Sequence, residues 1–140
     1  MALQTASVSL RAYFADGRSV TGDFLGNLAV DHEAIVEVIA DRGPWQSALL
    51  VLARRNSEDY EGEADPQERL GEVLRQDLER AAAWLAQQVE GVASLRSAGL
   101  EVDVFVDSWI DQDQLDWSFP GAFLLACGQA GLPIRMVTND

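Results

Sequence analysis

The stretch VDVFVDSW, residues 102–109, constrains the fold more than any other part of the chain. It alternates strictly, so a strand here would direct valines to one side and acidic and aromatic residues to the other. A helix packed on the second side would have to bury carboxylates, which is costly unless they are paired. We therefore expect helices on the valine side alone and an opposite face that is open to water. The valine side holds Val102, Val104 and Val106, and the other side Asp103, Phe105, Asp107 and Trp109.

Three further strands follow from the same kind of pattern. SVSLRAYF, residues 7–14, alternates and would place Ser9, Arg11 and Tyr13 on the open face. Residues 48–53 are apolar throughout, as in an interior strand. LPIRMVT, residues 132–138, would end the sheet with Arg135 on the open face. VTGDFL, residues 20–25, is a weaker strand pattern.

Helical spacing of apolar residues predicts three helices. The first covers residues 32–41 behind an Asp31 cap, and the longest runs from Pro66 to SAGL, with a bend near Gly91. The third lies between Pro120 and Gly131. The order β(β)αβαβαβ, with parallel final strands, predicts an α+β fold. A mixed sheet of four to five strands would carry helices on one face, as a two-layer sandwich and a single domain over residues 1–140.

Charge limits the kinds of partner. The chain has 23 acids and 10 bases, all of them arginine, for a net charge of −13. Nucleic acid and anionic membrane surfaces are disfavoured because both attract basic faces, whereas a basic protein is favoured. The alternative is that the charge only keeps the protein soluble. A lone cysteine and the lack of a leader pattern or of about 18 consecutive apolar residues predict a cytoplasmic location.

The run DQDQLD, residues 111–116, partly matches a calcium-binding loop. Asp111 and Asp113 match the first and third ligand positions of an EF-hand loop. Leu115 occupies the fifth position and Asp116 replaces the glycine at the sixth, so the pattern fails. The sequence predicts no metal site and no cofactor.

Catalytic patterns fail as well. Asp107, at the end of a strand, is similar to the nucleophile of phosphoryl-transfer enzymes related to haloacid dehalogenases, but Trp109 stands where those enzymes need a second aspartate. His32, the one histidine, is expected at the surface, and Cys127 is expected in the core. We predict no catalytic set.

The open face and the loop after it form the candidate partner-binding site. Its aromatic rings would anchor a cationic partner and its carboxylates would attract it. Two alternatives remain open. Asp103 and Asp107 could instead pair with Arg11 or Arg135. The loop after the strand could also fold back over the rings, with Trp117 as a lid. The candidate residues are Asp103, Phe105, Asp107, Trp109, Asp111, Asp113, Asp116 and Trp117.

Three functional hypotheses follow. The first is an acidic protein-binding module, of which a toxin-immunity protein that neutralises a basic effector is a specific instance. The second is a small ligand-binding domain or enzyme with a pocket on the open sheet face. The third is a structural module that forms a homodimer through the same face.

The last 40 residues also resemble a known family. SAGLEVDVFVDSW, a short acidic loop and WSFPGAFLLACGQAGLPIRMVT look like the C-terminal half of small bacterial proteins known only as domain of unknown function 4279. With the Trp45 strand and the long helix, the resemblance covers about two-thirds of the chain. It implies an α+β domain and assigns no activity.

Overall fold

The fold is taken from a computed structural model, which describes residues 4–20, 25–26, 28, 33–42, 46–110 and 117–139. In these ranges five strands and three α-helices follow one another as β1 (Gln4–Tyr13), β2 (Glu37–Arg42), β3 (Ser47–Asn56), α1 (Pro66–Leu85), α2 (Val89–Ser97), β4 (Glu101–Ile110), α3 (Gly121–Gln129) and β5 (Ile134–Asn139). A short 3-10 helix, Ser57–Tyr60, follows β3 directly. The weak strand pattern at residues 20–25 lies largely outside the described residues.

The strands form one mixed sheet in the order β2-β3-β1-β4-β5. The N-terminal strand β1 is at the centre and pairs antiparallel with both β3 and β4. Strands β4 and β5 are parallel neighbours joined through α3, as expected for a strand–helix–strand unit. The α+β class and the five-stranded mixed sheet predicted from the sequence are therefore confirmed.

The core lies between the helices and one face of the sheet. Val104, Val106, Leu10 and Val8 are fully buried on that face, and the valine side of β4 faces inward as predicted. Helix α1 packs against β3, and α2 packs against β4. The inward faces of the helices contribute Leu70, Leu74, Leu78, Ala81, Leu85, Val92 and Phe123.

The helix predicted for residues 32–41 is wrong, since residues 37–42 form strand β2. Val38 pairs with Leu50 and Ile39 with Leu49, and the backbone N–H of Val36 donates to the carbonyl of Val51 at 2.7 Å. A short apolar run fits both helical and strand spacing, and β-branched residues favour the strand. Pairing with β3 also satisfies backbone groups that a helix would have left at the edge of that strand.

The predicted long helix is two helices. The chain leaves helical geometry over residues 86–88, where the N–H groups of Gln87 and Gln88 bond three residues back, and Val89 is 40% exposed rather than in the core. Gly91, the expected bend, lies inside α2. A Cβ there would overlap the side chain of Leu28, so this glycine serves close packing instead.

Two glycines end helices as the sequence predicts. Gly99 has a φ of +93° after α2, and Gly131 has a φ of +64° after α3. Arg96 ties the two ends together, because its guanidinium donates to the carbonyls of Ala130 at 2.8 Å and Gly131 at 2.6 Å. No helix within the described ranges has the length and apolarity to cross a bilayer.

Candidate functional site

The sheet surface opposite the helices, called the open face below, carries the residues that alternate with the core. On β4 it presents Phe105, which is half-buried, Asp107, which is exposed, and Trp109, whose side chain is 46% exposed. The strand register places residues of four other strands beside them: Thr5, Ser7, Ser9, Arg11 and Tyr13 of β1, Leu49, Val51 and Arg54 of β3, Glu37 and Ile39 of β2, and Arg135 and Val137 of β5.

Asp103 departs from the expectation of an exposed acid. It pairs directly across the strands with Arg11, and both side chains are only 7% exposed. The guanidinium donates twice, from Nε to Oδ1 at 3.0 Å and from Nη2 to Oδ2 at 2.6 Å. The alternative of a cross-strand pair is therefore what the structure contains at this position. The Asp103 carboxylate supports the sheet and does not face a partner.

Aromatic rings bury this ion pair on a face that has no helix. The guanidinium carbon of Arg11 lies 4.4 Å from the ring centroid of Phe105 and 4.9 Å from that of Tyr13. These are cation–π distances, and the rings displace water that would otherwise weaken the pair. Phe105 is thus held by contacts within the protein and is less available to a partner than Trp109.

An irregularity in β3 sets which arginine reaches the open face. Val8 pairs with Ala53 and Ser9 with Val51, so one residue of β3 is extra at this point. As a result Arg54 points to the open face, where it pairs with Glu37 at 2.5 Å. Arg55 points to the helix side and donates to both carboxylate oxygens of Asp77, at 2.8 and 3.0 Å.

A groove of about 320 Å³ lies at one end of the open face. Trp109 and Asp107 of β4 form one wall, Thr5 and Ser7 of β1 line the base, and the end of β3 forms the other wall. The β3 wall consists of Arg54, Arg55 and Asn56. Such a volume is at the low end of what small ligands occupy and also admits a side chain of a partner protein.

The most acidic exposed part of the described chain begins at the same end of the sheet. Thr5 pairs with both Asn56 and Trp109, so these residues lie side by side. Asn56 lines the groove and also accepts a hydrogen bond from the N–H of Glu58 at 2.8 Å. The following residues, here called the acidic segment, expose six acids and no base: Glu58, Asp59, Glu61, Glu63, Asp65 and Glu68.

The remaining predicted site residues have different outcomes. Asp111, Asp113 and Asp116 lie outside the described residues. Trp117 does not act as a lid over the open face, because it packs against the core on the helix side. Its ring centroid is 5.1 Å from that of Phe119, whose ring stacks in turn on the buried Phe123. Aromatic packing next to Pro120 therefore fixes the start of α3.

Sequence reasoning identified Asp107 and Trp109 but missed the rest of the groove. Ser7 already lies on the open face of the alternating pattern at residues 7–14, and extending that pattern by two residues would have found Thr5. Arg54 could not have been found in this way, because the extra residue in β3 reverses the facing of everything after it.

Groups with the potential for chemistry are sparse in the described ranges. They contain no cluster of three side chains suited to hold a metal ion. Cys127 is 2% exposed, and burial raises the pKa of its thiol to about 11. The thiol is therefore protonated at neutral pH and lies in the core, as predicted, rather than beside the groove.

Comparison with known proteins gave no relative: no family model matches the chain, and neither the curated proteins nor the solved structures contain a match. The resemblance to domain of unknown function 4279 therefore stays a prediction.

Proposed function

We propose that this protein is a binding module for a basic protein, and that the partner docks at the groove and the neighbouring acidic segment. An immunity protein that neutralises a basic effector is the specific instance that we favour. The observation that carries the proposal is the position of Trp109, which is 46% exposed beside Asp107 and at the sheet end where the acidic segment begins.

Charge supports a cationic partner. Within the described ranges, seven of the chain's ten arginines form ion pairs with its own acids, and Arg96 donates to two carbonyls. Internal pairing therefore absorbs most of the positive charge and leaves the excess acids to act on the surroundings. A field of one sign attracts an oppositely charged protein and speeds its association.

The groove gives the partner a defined place to bind, which charge attraction alone does not. Tryptophan is enriched among the residues that dominate binding energy, because it buries a large rigid surface. A Lys or Arg side chain of the partner that enters the groove would stack on Trp109 and meet the Asp107 carboxylate. Arg54 is paired with Glu37, whereas Arg55 shares the Asp77 carboxylate with Arg80, so the partner's cation is expected at the wall formed by Trp109 and Asp107 rather than at the β3 wall.

The test is direct binding between this protein and the basic proteins encoded next to its gene, measured by calorimetry. We expect Trp109→Ala to weaken binding at least about tenfold, and Asp107→Asn to weaken it less while lowering its salt dependence. Glu90→Gln is the matched control, because it removes one exposed negative charge on α2 and leaves the groove unchanged. Binding that is insensitive both to salt and to Trp109→Ala would refute the proposal.

A second candidate is a small ligand-binding domain or enzyme that uses the same groove, and the groove's volume favours it. A thermal-shift screen with metabolites and metal ions separates the two functions. Stabilisation by a small molecule, lost in Trp109→Ala and unaffected by salt, would favour the ligand-binding function. Loss of stabilisation in high salt would favour an ionic partner.

A further inference from the structure

The two edges of the sheet are protected to different degrees. Exposed edge strands pair readily with other chains unless charges, irregularities or short length prevent it. Strand β2 contains Glu37, Asp41 and Arg42 within six residues, and its register shifts between Ile39 and Arg42. Strand β5 carries one charged side chain, Arg135, and its described pairing with β4 shows no register shift.

Strand β5 exposes apolar side chains along its free edge. Met136 is 61% exposed and Val137 is 38% exposed, and among the described strands only β4 is a neighbour of β5. The crossover helix α3 that leads into it also presents Leu124 and Leu125 to solvent, at 46% and 62% exposure. Four of the eight large apolar side chains exposed in the described ranges thus lie in α3 and β5, and such clustering indicates a binding surface, whereas Val36 and Val38 at the other edge lie beside the charged residues of β2.

Charge is nearly absent from the same part of the chain. Residues 117–138 contain one charged side chain, Arg135, in a protein with a net charge of −13. Within the described part of the chain Arg135 makes no ion pair. Two copies that approach through most other surfaces would bring acids together, whereas an approach through β5 would not.

The pairing with β4 shows which backbone N–H and C=O groups of β5 point away from β4. The N–H of Val104 donates to the carbonyl of Pro133 at 2.9 Å, and Val104 is paired with Ile134. In a parallel ladder this pattern directs the backbone groups of Arg135 and Val137 toward β4. Those of Ile134, Met136 and Thr138 are directed away from it, toward the free edge.

We propose that two copies of this chain pair antiparallel through β5 about a two-fold axis at Met136. This register opposes Met136 to itself and Ile134 to Thr138, and so brings all the outward backbone groups into hydrogen bonds. Centring on Arg135 instead would oppose like charges. The result is one continuous sheet with both sets of helices on the same side.

Attraction and repulsion between charged side chains nearly offset each other in this register. Arg135 of the second copy lies opposite Val137, which is itself paired with Asp107. The second copy's guanidinium is thus two strands from an acid on the same face, about 10 Å between backbones, and this attraction offsets repulsion between the two Arg135 side chains, which are diagonal neighbours about 7 to 8 Å apart. Both open faces remain uncovered, so self-association and the proposed partner binding do not compete.

Sedimentation analysis of the full chain tests the inference. We expect a concentration-dependent mass of twice 15.3 kDa that persists in high salt. Met136→Lys should weaken association at least about tenfold, because a solvated charge would oppose itself at the axis. Val38→Lys is the matched control, since it adds the same charge at a 45% exposed valine on the other edge strand. A mass of 15.3 kDa at all concentrations, or equal weakening by both variants, would overturn the proposal.

Amide hydrogen exchange gives a readout that does not depend on a variant. The amides of Met136 and Thr138 should exchange more slowly at high than at low protein concentration, while those of β2 should not change. Identical exchange of the Met136 amide at both concentrations would overturn the register. Persistence of the dimer in salt that abolishes partner binding separates this inference from the proposed function.

Discussion

Replacing Asp103 by Ala tests the buried ion pair of the open face. The substitution leaves the Arg11 guanidinium without its two hydrogen bonds of 3.0 and 2.6 Å, at a site where the side chain is 7% exposed. Breaking one partner of a buried pair destabilises by about 3 to 5 kcal/mol, because the other charge remains buried and uncompensated. At about 4 °C per kcal/mol for a chain of this size, the melting temperature should fall by about 12 to 20 °C.

The double variant Arg11→Leu with Asp103→Leu supplies the control. It removes both charges and keeps apolar volume between the rings of Tyr13 and Phe105, so it should be near neutral relative to the unmodified protein. Urea unfolding followed by circular dichroism measures the free energy of unfolding of both variants, and we expect the same m-value for each. A loss below about 1 kcal/mol in Asp103→Ala, or a double variant as unstable as the single one, would refute the claim that the pair is buried and coupled.

Two further predictions concern the helices. Gly99→Ala should lower the unfolding free energy by about 1 kcal/mol, because φ is +93° there; the added Cβ would meet no clash, since the nearest atom, in Phe14, is 3.8 Å away. Gly128→Ala, at an exposed position of α3, should raise the unfolding free energy by up to about 1 kcal/mol. Equal effects in chemical unfolding would contradict this assignment. The pKa of the Cys127 thiol is about 11 in the folded protein and about 9.0 in the unfolded chain. The thiol should therefore not affect the free energy of unfolding below pH about 9, and should lower it as pH rises toward about 11. The Cys127→Ala variant should lack this part of the decrease. Identical pH profiles of the variant and the unmodified protein would contradict the prediction.

The parts of the fold that the sequence predicts are those where one period is clear. The alternation of residues 102–109 predicted β4, its inward valines and a face without helices, because a strand has only two sides. Pro66 and the long apolar stripe predicted α1, and the glycines at 99 and 131 predicted helix ends. Each of these signals is local, so no distant contact was needed to interpret it.

The errors arose where distant contacts decide. Residues 37–42 form a strand because β3 offers an unpaired edge, which is a tertiary fact. The burial of Asp103 depends on Arg11, which is 92 residues away in the chain, and on two rings that cover the pair. The groove depends on one extra residue in β3, and an irregularity of this kind leaves no periodic signal in a strand that is apolar on both sides.

The central position of β1 has a consequence for synthesis of the protein. Residues 4–13 leave the ribosome before the other strands of this sheet, yet one of their two neighbouring strands is residues 101–110. Until that strand emerges, β1 can pair on one side only, and the nascent chain carries an unsatisfied edge through most of translation. Pairing of β1 on both sides must therefore wait until residue 110 has been made, and β5, at residues 134–139, joins the sheet later still. The late arrival of β4 makes folding nonlocal, and therefore slow, and makes the growing chain a natural client for chaperones that shield unpaired strands.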